Sequence, residues 1–412
     1  MTKNLKSLQP ISEYLIDFLD TNISHRIGCF KKTNFSEDTD DMFYSLYEKM
    51  ILAKKDFKKT KIIITPLDTF TKGNNHDIIE ERIRSHIKTA NLFGYKYDFA
   101  INDRNIEVNI LCESNCDKTY FDKAIQKIYI WLAVAFTFSD KTCSQVLSIY
   151  LYLTDLEKIV PEKNIVIDTI NANTGFTFTC RSKNEINIYR KEEWFKVLIH
   201  ETFHNLGLDF SHYENAHINR KILTIFPVKS EVCLYETYCE MWAEILNILF
   251  IVFNQSKKSE TIEYMIIKVE KLLDYERTFS LFQCAKVLKH TGVSYTQLFE
   301  RSQQNHMIRN LRYKEKTCVL SYFIIKSIFM YKIDHFLEWC IAHNGNSLKF
   351  GNIVEINKSM EDYCELVEKH HQDKKYIACV TALENWFSQQ EKTHRKDDTE
   401  LKTLRMSLFE EI

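Results

Sequence analysis

Glycine and proline are scarce in this chain, 8 and 4 among 412 residues, and no proline follows Pro227. Turns depend on these two residues, so few turns and long helices are expected, above all in the C-terminal part. Collagen-like, β-sandwich and propeller architectures are excluded on the same ground. An excess of one charge is also missing: 55 Lys and Arg stand against 56 Asp and Glu, a net charge of −1. This argues against a broad electrostatic surface for nucleic acid or membrane. Long apolar runs are absent too. Ile128–Phe138, Ile245–Phe253 and Cys318–Tyr331 fall short of the ~18–20 residues that cross a bilayer, and they read as buried core helices. There is no glycine-rich phosphate loop, which disfavours nucleotide hydrolysis.

What remains has globular character, with 45% hydrophobic and 27% charged residues. The N-terminal MTKNLKSLQPISEYL lacks the apolar stretch of a secretory signal. The twelve Cys are scattered and are read as reduced thiols, so an intracellular, cytoplasmic setting is expected. Cys112 and Cys116 have no neighbouring Cys or His pair, and no second zinc site is expected there.

Three regions are expected: a helical segment over 1–58, a mixed catalytic unit over 59–254, and a helical part over 255–412. Lys61–Thr65 reads as a strand, Tyr95–Leu111 as a hairpin broken at 102–105, and Val146–Thr154 as a β-branched strand. Phe176–Cys180 and Glu185–Tyr189 alternate as paired strands. A helix is expected from Lys191, with Glu192 and Glu193 in its first turn, and Gly207 should end it. Another is expected from Val232 to Asn254. The polar stretch Glu391–Glu400 reads as solvated.

The residues that carry chemistry are His200-Glu201-Thr202-Phe203-His204. Two His at i and i+4 lie on one helix face, so both rings reach one metal ion, and imidazole nitrogen suits zinc. Glu201 is placed to take a proton from the attacking water and pass it to the leaving amine. The bare pattern arises by chance in about 0.04 chains of this composition. The flanks therefore matter: Val197-Leu198-Ile199 before it and Asn205-Leu206 after it leave the helix free of charge and proline. A zinc site needs a third protein ligand. Glu236, Glu240 and Glu244 share one face of the next helix and offer it. Glu236 as ligand with Glu240 behind it is favoured over Glu240 backed by Glu244.

This block, about residues 171–246, resembles the zincin superfamily and its gluzincin branch, in which a downstream Glu completes an HExxH site. A metzincin continuation fits less well: after Gly207 the ligand position holds Phe210, and Asp209 and His212 are out of step. The gap between His204 and Glu236 is longer than in the compact members of the branch. The composition and the ETYCEMWAE run are similar to zincin-like proteins of large cytoplasmic DNA viruses. The resemblance implies an α+β fold, a mixed sheet plus an active-site helix followed by an all-α C-terminal region. It also implies one catalytic Zn2+ on His200, His204 and Glu236, with Glu240 fixing a ligand His. It makes Phe176, Thr177 and Phe178 the edge strand that binds an extended peptide. An oxyanion donor is expected as well. Tyr322, one turn from Lys326 on an apolar helix, is the candidate, with His212, His217, Tyr235 and Tyr238 as rivals; the plainer reading makes Tyr322 core filler and lets Lys326 snorkel.

The function expected is a zinc metallopeptidase acting on a peptide or protein, with no nucleic-acid partner. A catalytically silent structural or interaction protein on the same scaffold is the main alternative, and a hydrolase of another amide or ester the next.

Overall fold

The structure, a computed structural model, describes residues 8–24, 32–67, 72–114, 116–257, 259–393 and 398–411. It is α+β. Helices α1 (Pro10–Leu19) and α2 (Glu37–Phe57) precede strand β1 (Ile63–Leu67) and helix α3 (Glu81–Thr89). Strands β2 (Phe93–Ile101) and β3 (Arg104–Cys112) form the expected hairpin, turning at Asn102 with φ 51°. Helix α4 (Lys118–Ala135), β4 (Val146–Leu153), the short α5 (Thr169–Ala172), β5 (Gly175–Thr177) and β6 (Lys183–Ile188) follow. The sheet order is β1-β2-β3-β4-β6-β5. It is mixed: β3, β4 and β6 run parallel, and β1, β2 and β5 pair antiparallel.

The remainder is helical: α6 (Trp194–Asn205), α7 (Ala216–Ile225), α8 (Leu234–Gln255), α9 (Ile262–Thr291), α10 (Tyr295–Phe299) and α11 (Gln303–Arg312). A π-turn over Leu320–Ile325 then runs into α12 (Lys326–Tyr331), followed by α13 (Ile333–Asn344), α14 (Ile356–His370), α15 (Lys374–Thr393) and α16 (Thr399–Lys402). The three apolar runs fall mostly in α4, α8 and the π-turn with α12, and most of their residues are buried. No helix among the described residues is long and apolar enough to cross a membrane. One hydrophobic cluster extends from Leu8 to Phe409, so N-terminal, sheet and C-terminal parts share a core.

Helix α6 is buried on almost every side, between the sheet and α8. It begins later than the sequence suggested. Glu192 and Glu193 precede the first turn, and Glu193 is left-handed at φ 58°. A non-glycine residue holds that conformation only when its surroundings require it. Glu193 is locked by Lys158 Nζ at 2.8 Å and by the backbone N–H groups of Met406 and Ser407, the latter at 2.6 Å. Residues 403–409 thus form a buried strap that returns to the start of α6. Glu276 grips the same strap by accepting from Leu408 N at 2.9 Å and Ser407 Oγ at 2.6 Å. At the other end of α6, Gly207 has φ 61° and closes the helix as expected.

Four further expectations need correction. Cys112 is paired with Cys116 and Cys143 with Cys180, and Cys379 is disulfide-bonded as well, where reduced thiols were expected. The edge strand ends at Thr177 instead of Cys180. Asn184 Nδ2 donates to Phe178 O at 2.6 Å, and Cys180, left-handed and tied to Cys143, turns the chain away. Lys326 does not snorkel: it is 1% exposed and donates to Glu244 Oε1 at 2.5 Å and Met406 O at 2.7 Å. Of the stretch 391–400 read as solvated, 394–397 lie outside the described residues, while Glu400 is buried and accepts from Tyr14 Oη at 2.5 Å.

Candidate metal centre

The helices α6 and α8 place His200, His204 and Glu236 together. His200 Nε2 lies 3.0 Å from Glu236 Oε2, His204 Nε2 lies 3.3 Å from the same oxygen, and the two Nε2 atoms are 3.1 Å apart. Ligands held 2.0–2.1 Å from one tetrahedral zinc ion are about 3.3 Å from each other, so this triangle has the right size. The other ring nitrogens face carboxylates. His200 Nδ1 is 2.9 Å from Glu240 Oε1, and His204 Nδ1 is 2.7 Å from Asp209 Oδ2. Asp209 takes the Nδ1–H of His204, and Glu240 sits at ion-pair distance from His200 Nδ1 without hydrogen-bond alignment; with both Nδ1 atoms facing carboxylates, the Nε2 atoms point inward. Two lone pairs and a carboxylate oxygen then converge, and only protons or a cation can relieve that. Without a metal, protons do so. Burial alone would lower the His200 pKa, but the Glu240 and Glu236 carboxylates outweigh it and push it up to about 9. His204 is raised in the same way, with Cys239, Asp209 and Glu236 outweighing burial. Glu236 is driven well below its ordinary range, the two imidazoles overcoming burial. A divalent cation would serve the same triangle, so the donor set fits zinc.

Glu201 stands beside the triangle rather than in it. It is 7% exposed, and burial raises its pKa against the opposing pull of His200 and His204. Its carboxylate lies over the edge strand: a Cβ on Gly175 would sit 3.2 Å from Glu201 Oε1 and 2.9 Å from Asn187 O. Gly175 is therefore a close-approach glycine. The strand is tied to α6 by Asn205 Nδ2, which donates to Thr177 Oγ1 at 2.8 Å, and by Cys180 N, which donates to Asn205 O at 3.0 Å. β5 is the last strand of the sheet, and Phe176 and Thr177 lie in it, while Phe178 falls just beyond.

Among the tyrosines, Tyr322 reaches the site from the π-turn, its ring centroid 6.2 Å from that of His200. Burial raises its pKa, and the Glu236 charge adds to this. Tyr235 is 5.9 Å from the His204 ring by the same measure. Tyr238 is occupied elsewhere, donating to Leu348 O at 2.9 Å. The His212 ring lies tilted against Tyr213, and His217 sits on α7. Glu244 is one turn beyond Glu240 and pairs with Lys326, away from the triangle.

Asp209 is the residue whose role sequence reasoning missed. It follows the Gly207 turn, so helix spacing does not reveal it. The turn folds it back under His204, where it is 1% exposed, and Ser211 Oγ donates to its second oxygen at 3.1 Å. A cavity of about 570 Å³ lined by Lys158, Lys191, Glu192, Arg405 and Glu410 includes none of the HExxH residues.

No protein-family model matches the chain, and no solved structure matches it. The chain is similar to a protein of Acanthamoeba polyphaga mimivirus described as uncharacterized protein R210, 24% identical over 399 residues that cover 89% of this chain and 92% of that one.

Proposed function

We propose that the chain is a zinc-dependent peptidase. The observation that carries this reading is the convergence of His200 Nε2, His204 Nε2 and Glu236 Oε2 within 3.0–3.3 Å, with both outer nitrogens facing carboxylates. Zinc bound there supplies Lewis acidity, activating water and polarising a carbonyl. Glu201 takes the proton of the attacking water and delivers it to the departing amine. Tyr322 steadies the negative charge that develops on the carbonyl oxygen. The outer edge of β5 pairs with an extended peptide and brings the scissile bond alongside Glu201. The similarity to a mimivirus protein supports a viral setting, with the substrate met in an infected cell or virion.

The test has two parts on the purified full-length chain: metal content, and cleavage of an unstructured peptide library read by mass spectrometry. One equivalent of zinc and chelator-sensitive cleavage are expected. Metal-free protein from chelator-free preparations overturns the reading. Zinc without cleavage favours instead a zinc-bearing structural protein, the reading suggested by the depth of the site: His200, Glu201 and Tyr322 are 5%, 7% and 6% exposed.

Two substitutions probe the supports. Asp209→Asn keeps the shape but weakens the hydrogen bond that fixes the His204 tautomer. Zinc affinity should fall by roughly 10–100-fold in competition with a chelator. Gly175→Ala forces Glu201 aside or distorts β5, because its Cβ has 2.9 Å to Asn187 O. Cleavage should drop at least ~10-fold while zinc stays bound, since misplacement of about 1 Å near the reacting atoms is costly.

A further inference from the structure

The metal helix and the helix that faces it carry matched ladders. Helix α6 presents Lys196, His200 and His204 at intervals of one turn, and α8 presents Glu236, Glu240 and Glu244 at the same interval. The helices run antiparallel here: Glu236 meets His204 and His200, and Glu240 meets His200 and Lys196. Lys196 touches none of the three candidate ligand atoms. Its ammonium donates to Glu240 Oε2, and Met406 Sδ lies 3.9 Å away. Lys196 and Glu240 side chains are 2% and 4% exposed. Burying such a pair carries a desolvation cost that an apolar pair would avoid.

The arrangement around Asp209 indicates what Lys196 does. Each His leans on a carboxylate, and each carboxylate has its second oxygen anchored. Asp209 gives Oδ2 to His204, and its Oδ1 is held by Ser211 Oγ. Glu240 sets Oε1 2.9 Å from His200 Nδ1 as a charge partner, and its Oε2 is held by Lys196 Nζ. A carboxylate held at one oxygen still turns about its last bond; held at both, its plane is fixed, and so is the ring that it faces. Glu240 also needs a counter-charge that the neutral imidazole cannot supply.

We propose that Lys196 is a positioning residue of the metal centre: it holds Glu240 on His200 Nδ1 and thereby fixes the nitrogen that His200 offers to the metal. This rests on the zinc reading above. It is tested on the full chain with Zn2+ alone, by competition against a chromophoric chelator, and with Co2+ as a spectroscopic reporter of ligand geometry. Lys196→Met should lower zinc affinity about 10–100-fold and alter the visible cobalt spectrum. Lys196→Arg, which keeps the charge and the donor, should restore both. Wild-type affinity and spectrum in folded Lys196→Met overturn the proposal and leave the zinc reading intact. Failure of the wild type to bind Zn2+ overturns both.

Should Lys196→Met not fold, Lys196→Met combined with Glu240→Gln removes both charges together. If Lys196 acts through Glu240, the double variant binds zinc as Glu240→Gln does. A further tenfold loss would mean that Lys196 acts by another route and would overturn the proposal.

Discussion

Replacing Glu201 by Gln should leave zinc bound and reduce peptide cleavage by about 10²–10⁴-fold, the range that a positioned general base contributes. Glutamine keeps the shape that lies over Gly175, so the edge strand and α6 have no reason to move. What changes is proton affinity: an amide oxygen cannot accept and carry a proton at neutral pH. The carboxylate in place is suited to the task, since burial raises its pKa while the two nearby imidazoles hold it back. The measurement pairs metal analysis with turnover on one peptide found by library cleavage. Full turnover in Glu201→Gln removes Glu201 as base. Loss of zinc together with turnover would make Glu201 a ligand instead.

Glu193→Gln should be the most damaging of the substitutions outside the triangle, costing about 3–5 kcal/mol of stability at neutral pH. Its side chain is 0% exposed and its partner Lys158 1% exposed, so the variant leaves a buried ammonium without the carboxylate to which it donates. The pH dependence follows from the direction of the shift. Burial would raise the Glu193 pKa, but Lys158, Lys196 and Arg405 overcome it and hold it down at about 2, against an ordinary 4.5. A depressed carboxylate contributes its full stabilisation above its unfolded value and loses it as pH falls toward the folded value. The gap between wild type and variant in urea unfolding should therefore be widest above about pH 5 and narrow toward pH 2. A constant gap across that window would show that the loss is one of packing, not charge.

The parts of this molecule that sequence reveals are those in which helix periodicity does the arranging. His200 and His204, one turn apart, had to share a face, and so did Glu236 and Glu240. The sequence alone left two frames open, Glu236 or Glu240 against the metal. Antiparallel packing of α6 against α8, a tertiary fact, puts Glu236 beside both Nε2 atoms and Glu240 behind His200. Lys196 stood one turn before His200 and could have been found by extending the same spacing backwards. Asp209 could not, because the Gly207 turn breaks the period. The short reach of β5 was hidden too. What ends it is Asn184 and the Cys143–Cys180 link, and each acts from a distance that alternation within Phe176–Cys180 does not register. The left-handed Glu193 was likewise invisible, since its lock comes from Met406 and Ser407. The all-helical C-terminal part was the easiest to foresee, because the shortage of turn residues left the chain little else to form.

The strap over residues 403–409 also orders events in time. The first turn of α6 is held by backbone groups 213 and 214 positions further along the chain. At synthesis rates of 5–20 residues per second, those partners emerge about 10–40 s after Glu193 itself. Until then Glu193 and Lys158 lack the cover that buries them, and Lys326 lacks the Met406 carbonyl that completes its bonds beside Glu244. Contacts of such long range form late in folding as well. A nascent chain thus holds its two histidines on a helix whose start is not yet pinned, and the candidate site becomes rigid only after residues 403–409 have been made.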